Sequence, residues 1–187
     1  MTDRVLEGKT VLMTGAGRGM GRSMSIALAA AGAKVAMIDI DEDVLQEAAK
    51  EAEDAGGQGS IKPLICDVTD ADRAKATAEE IVSSFGSLDV LVNDAVVGPE
   101  RIKDFFVRPA KFWDLDNNLW NAMLRVNIFG PQLMAKTCAP YMMDKGWGRI
   151  INVTTSLDTM YLKGCGAYGP SKAALEANTR IMAQDLD

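Results

Sequence analysis

Thr10-Val11-Leu12-Met13-Thr14-Gly15-Ala16-Gly17-Arg18-Gly19-Met20-Gly21 decides the fold of this 187-residue chain. Thr10 to Met13 is an apolar, partly β-branched run that reads as a strand buried on both faces. A glycine-rich turn follows, and Ser23 to Ala31 reads as a helix with Gly32 as its stop signal. A strand, a glycine turn and a helix in that order aim unpaired amides at one point. The helix dipole adds roughly half a positive charge there. Such a turn holds a phosphate or pyrophosphate even on a chain of net charge −6.

Outward from this stretch the same alternation repeats. Lys34 to Ile40, Ile61 to Cys66, Leu88 to Asn93 and Arg149 to Val153 read as further strands. Asp43 to Ala55, Asp70 to Phe85, Leu119 to Met143 and Tyr168 to Leu186 read as helices. Continuous apolar strands separated by helices predict a parallel α/β sheet, doubly wound, with helices on both faces. Gly98 to Ala110 is the least regular stretch and reads as a loop near the site. With no repeat and no linker, residues 1–187 read as one domain.

Composition excludes several chemistries. Hydrophobic residues make up 48% and charged residues 25%, so a sizeable core is expected. The chain has no histidine, which removes Ser-His-Asp and Cys-His triads and imidazole metal sites. Cys66, Cys138 and Cys165 lack a C-x-x-C pair and read as small core residues, so no metal is expected. The negative balance argues against nucleic acid or an anionic membrane as partner. MTDRVLEGKT holds no apolar leader, and no apolar run approaches a membrane span. The expectation is a cytoplasmic protein.

Two further sites carry chemistry. Asp39 closes the second strand, where an acid accepts hydrogen bonds from an adenosine ribose and repels a 2′-phosphate. That favours NAD over NADP. Asp41 is a rival, better read as the N-cap of the following helix, and Arg18 and Arg22 keep an extra phosphate in play. At the other end of the chain, Tyr168-Gly169-Pro170-Ser171-Lys172 opens the last helix, with tyrosine and lysine on one face. A tyrosine phenol ordinarily titrates near 10, and bringing one to neutrality takes roughly 4 kcal/mol. A nearby ammonium supplies part of that.

Taken together these motifs resemble the short-chain dehydrogenases/reductases. The match comprises T-G-x-x-x-G-x-G at Thr14–Gly21, Asp39, Asp67-Val68 after strand three, Asn93 after strand four, Asn127 in the long helix, and Y-x-x-x-K at Tyr168–Lys172. The resemblance implies a three-layer α/β/α Rossmann fold and an oxidoreductase interconverting a secondary alcohol and a ketone. Gly15, Gly17, Arg18, Gly19, Met20 and Gly21 would line the dinucleotide. Asp67 would contact the adenine, with Val68 beside it, and Asn93 would lie near the cofactor; Asp67 also reads as a turn or cap residue. Tyr168 would be the general acid/base, and Lys172 would favour its phenolate and hold the nicotinamide ribose. A small alcohol or carbonyl is the implied substrate, and a homo-oligomer, tetramer or dimer, the implied assembly.

Asn127 also has an argument of its own. Pro131 follows four residues later and has no N–H to give the Asn127 carbonyl, so the helix should kink and expose that carbonyl. In the resembled family a water there links the asparagine to the lysine.

Three departures stand out. The substrate-polarising hydroxyl is Thr155 by count or Ser156 by residue type. Val96 stands where the family has a glycine, a strained place if its φ is positive. The chain also stops at Asp187, where the family continues, so it reads as apparently truncated. The last two points support a competing reading, a dinucleotide-binding protein or fragment without turnover.

Overall fold

A computed structural model describes residues 4–186; Met1 to Asp3 of the N-terminal segment and the final Asp187 lie outside the described residues. The strands are β1 (Thr10–Thr14), β2 (Lys34–Asp39), β3 (Ile61–Ile65), β4 (Val90–Asn93) and β5 (Arg149–Asn152). The helices are α1 (Gly19–Ala30), α2 (Glu42–Gly56), α3 (Ala71–Phe85), α4 (Asn117–Leu124), α5 (Gly130–Lys145), α6 (Leu157–Met160) and α7 (Tyr168–Asp185). A π-helical turn, Arg125–Phe129, joins α4 to α5.

The sheet runs β3-β2-β1-β4-β5. β1 pairs in parallel with β2 and β4, and β2 with β3. The chain builds outward to β3, then returns across β1 to β4. The carboxyl ends of β1 and β4 therefore flank the switch point, where open α/β sheets bind ligands. β3 is an edge strand, which accommodates Pro63 and its missing amide.

The chain divides into two compact units. The first comprises residues up to Ala95 with Leu133–Ile151; the second is Val96–Gln132 with the chain from Asn152 onward. The core of the first is the sheet: all of β1 is buried, as are Val35, Ala36, Met37 and Ile38 of β2 and Leu91 and Val92 of β4. The second has its own small core of Ile102, Phe105, Met123, Cys165 and Ala167. The expected loop Gly98 to Ala110 is thus anchored, by a 3-10 turn at Pro99–Arg101 and two buried side chains. All three cysteines are free and buried, and burial pushes the Cys138 thiol up to about 12.

At the amino end of β4, Asp89 is a fully buried carboxylate. It accepts from the Thr10 amide and the Ser87 hydroxyl, both at 2.8 Å, and from the Lys145 ammonium. Burial alone would raise its pKa, but the Lys145 bond and the two other donors outweigh this and hold it below the usual carboxylate range. A lowered native pKa contributes stability above the unfolded value of about 3.9, lost as pH falls through the native value. Asp89→Asn should therefore be less stable than the parent at pH 7, with the gap narrowing as pH falls below about 4. Thermal midpoints across pH 3–7 check this, and a constant gap would contradict it.

Candidate active site

In the first unit, β1 runs into the glycine turn. Gly15 has a left-handed φ of 66°, and a Cβ there would meet the Ala95 backbone at 2.8 Å. Gly21 lies against the Gly15 carbonyl so closely that no side chain fits. Gly19, at φ 56°, faces open space. Met20 beside it is exposed. α1 begins at Gly19 rather than the expected Ser23, because the glycines that disfavour a helix in isolation form its first turn here.

The start of α1 has no side-chain cap and no acidic residue in its first turn. By contrast, Asp70 caps α3 and Asp116 caps α4. An uncapped helix N-terminus behind an open glycine fits a phosphate group.

Asp39 closes on this turn. Its Oδ2 accepts from the Gly17 amide at 3.0 Å, and its Oδ1 accepts from the Ile40 and Asp41 amides at 2.8 and 3.2 Å. Asp41 holds the N-cap position of α2, but its side chain makes no capping bond. It pairs with Arg18 at 2.5 Å instead. Arg22 is gripped by Glu47 and Glu51 at 2.9 and 2.7 Å. Asp67 forms a turn, its Oδ1 accepting from the Thr69 amide at 2.8 Å, and Val68 is buried. Asn93 is buried at the end of β4. The Thr14 hydroxyl accepts from the amides of Asp94 and Ala95, fixing the exit from that strand.

The second unit gathers the remaining candidates. Lys172 is buried one turn beyond Tyr168 on α7, and its ammonium donates to the Val153 carbonyl at 2.7 Å. That ammonium lies 5.8 Å from the centre of the half-buried Tyr168 ring. Asn127 is fully buried in the π-helical turn. Its amide makes a reciprocal pair with Val97, accepting at 2.9 Å and donating at 3.0 Å. The second amide hydrogen goes to Ser171 Oγ at 3.0 Å, and Ser171 donates to the Tyr168 carbonyl at 2.7 Å. The helix disturbance expected from Pro131 takes the form of a π-helical widening.

A family model described as short chain dehydrogenase matches residues 9–187. The chain belongs to this family. It is an oxidoreductase by that membership. The chain is 33% identical over 181 residues to a 3-oxoacyl-(acyl-carrier-protein) reductase of Thermotoga maritima, covering 97% of this chain and 69% of that protein. An NAD+-bound xylitol dehydrogenase superposes with a TM-score of 0.86 at 28% identity, covering 97% of this chain and 66% of that one. A metagenomic short-chain oxidoreductase in complex with NADP gives a TM-score of 0.85 at 28% identity, covering 97% of this chain and 78% of that one. The chain spans about two thirds of the length of the curated relatives it matches.

Within this short-chain dehydrogenase, two expectations need correction. The possible strain at Val96 is absent: among the described residues only Asp104 combines a side chain with a positive φ. Asp41 takes the expected N-cap position of α2, but its side chain pairs with Arg18 instead of capping the helix.

The structure also separates the two candidate hydroxyls. Ser156 is the N-cap of α6, accepting from the Thr159 amide at 3.3 Å and lying 3.1 Å from its hydroxyl. Thr155 is half-buried just before it. Ser171 escaped the sequence reading because a serine inside a helix carries no periodic signal. Its removal leaves one buried Asn127 amide hydrogen without an acceptor, so Ser171→Ala should cost about 1–3 kcal/mol. Urea unfolding measures this, and a loss within 0.5 kcal/mol, the usual range for a neutral surface change, would contradict it.

Proposed function

We propose that this short-chain dehydrogenase interconverts a secondary alcohol and a ketone with NAD as its cofactor and Tyr168 as its general acid/base. The observation that carries the reading is the start of α7, where Tyr168 stands beside the buried Lys172 and the Asn127–Ser171 bonds fix the helix backbone.

The nicotinamide supplies or takes the hydride when bound. The chain's own residues handle the rest. The glycine turn and the uncapped start of α1 hold the pyrophosphate. Asp39 accepts a ribose hydroxyl, and Asp67, Val68 and Asn93 line the same cofactor. Tyr168 gives its proton to the carbonyl oxygen in reduction and takes it back in oxidation. Lys172 favours the phenolate and binds the second ribose. Thr155 polarises the substrate oxygen, since Ser156 is engaged at α6. Pro131 withholds an amide from the Asn127 carbonyl, leaving it to the relay that re-protonates Lys172.

The name of the xylitol dehydrogenase puts sugar alcohols first among substrates to screen. A homo-oligomer completes the reading. The groove along α4, the π-helical turn and α7 is lined by Leu124, Ile128, Phe129, Ala177 and Ile181, an apolar surface that a second copy can cover.

Titration with NADH and NADPH, followed by nicotinamide fluorescence and thermal midpoint, tests the cofactor assignment. Tighter binding of NADH is expected. Preference for NADPH overturns the assignment to NAD, and binding of neither overturns the glycine-turn reading.

A further inference from the structure

We propose that Asp41 is a determinant of cofactor choice, excluding a 2′-phosphorylated dinucleotide by occupying Arg18. The proposal rests on the reading of the glycine turn and Asp39 as the adenosine end of a dinucleotide site. It adds a second carboxylate to that end, acting through a cation.

Hydrogen-bond capacity sets the starting point. A carboxylate oxygen offers two lone pairs. Oδ1 of Asp39 spends both on the Ile40 and Asp41 amides, and Oδ2 spends one on Gly17. One acceptor position is left, enough for a single ribose hydroxyl. A phosphate presents no hydrogen for it and brings repulsion instead, so a phosphate requires a cation nearby.

Two arginines flank the turn, and the structure treats them differently. Arg22 is bound by Glu47 and by both oxygens of Glu51, which fastens α1 to α2. Arg18 follows Gly17 directly in the chain, and Gly17 is the residue whose amide Asp39 holds. Its guanidinium is largely exposed and pairs with Asp41. It has the reach and exposure to meet a phosphate, and its charge is cancelled where a phosphate would need it. Asp39, Asp41 and Arg18 together sum to one negative charge.

Replacing Asp41 by asparagine removes that charge and releases Arg18. The substitution is mild for the fold. The Asp41 side chain does not cap α2, asparagine is at home at an N-cap, and an exposed ion pair contributes little to stability.

NADH and NADPH are titrated against the 187-residue chain, Asp41→Asn, and Asp41→Asn combined with Arg18→Gln, with thermal midpoints taken in parallel. Asp41→Asn should tighten NADPH about tenfold, equivalent to about 1.4 kcal/mol. NADH should change less than about twofold. The Arg18→Gln double variant should lose the gain, and rising salt should erode it.

An unchanged NADPH-to-NADH ratio in Asp41→Asn overturns the proposal. So does a gain that survives without Arg18, because the effect then does not run through the arginine. A parent chain that already prefers NADPH, or binds neither dinucleotide, instead overturns the underlying reading of the site and the proposal with it.

Discussion

Replacing Tyr168 by phenylalanine should remove turnover by roughly a hundred- to ten-thousand-fold, the usual contribution of a positioned general acid/base. NADH binding should stay within about twofold, since no dinucleotide contact other than the phenol is lost and that hydroxyl is not needed to hold a phosphate. The ring keeps its volume, so the packing of Tyr168 on the small core of the second unit survives. The assay is the rate of NADH formation with the best alcohol found for the parent chain, beside a fluorescence titration of NADH. Retention of more than a tenth of the parent rate would mean that the proton comes from another group. Joint loss of binding and rate would mean that the tyrosine is structural.

Gly21→Ala should have the second large effect, in the opposite pattern. The added Cβ meets the Gly15 carbonyl well inside contact distance and the Asp94 carboxylate at 3.1 Å. The first of these is backbone and cannot rotate away, so the turn must open or α1 must shift. Overpacking of this kind costs about 1–3 kcal/mol. In a domain of this size each kcal/mol lowers the thermal midpoint by about 2–4 °C. Because the displaced amides are those proposed to face the pyrophosphate, NADH affinity should fall at least about tenfold, as expected when helix N-terminal donors are moved. Calorimetry and fluorescence titration measure both. Affinity within twofold of the parent would remove the turn from the site.

The parallel sheet was readable because each strand is a short apolar run bounded by glycine or acid. β1, β2 and β3 differ from expectation by one residue at one end, and α3 begins beside its cap Asp70 as its sequence indicates. Expected strand β4 began too early, because Leu88 and Asp89 are buried below the strand and their burial looks like strand membership. α6 was not legible: four residues are too few for a helical period to register. The π-helical turn was half legible, since Pro131 announces a missing bond without saying how the helix absorbs it.

Site residues divide the same way. Tyr168, Lys172, Asp39 and the glycines sit at fixed offsets within or beside recognisable elements. The pairing of Arg18 with Asp41 and the capture of Arg22 by Glu47 and Glu51 join residues more than twenty positions apart. Only the packing of α2 beside the turn brings them together. Gly169 is a similar case. It reads as a helix start before Pro170, yet the structure presses it against the Met160 carbonyl, leaving no space for a Cβ.

The reciprocal pairing of Asn127 with Val97 restricts what else position 127 can hold. The site asks one side chain to accept once and donate twice, at a fixed reach. Aspartate offers no donor, serine and threonine reach too few partners, and glutamine is longer by a methylene. Of the twenty residues, asparagine alone has both the length and the valence. A library that varied the π-helical turn freely would keep many answers at its exposed positions and one answer at 127.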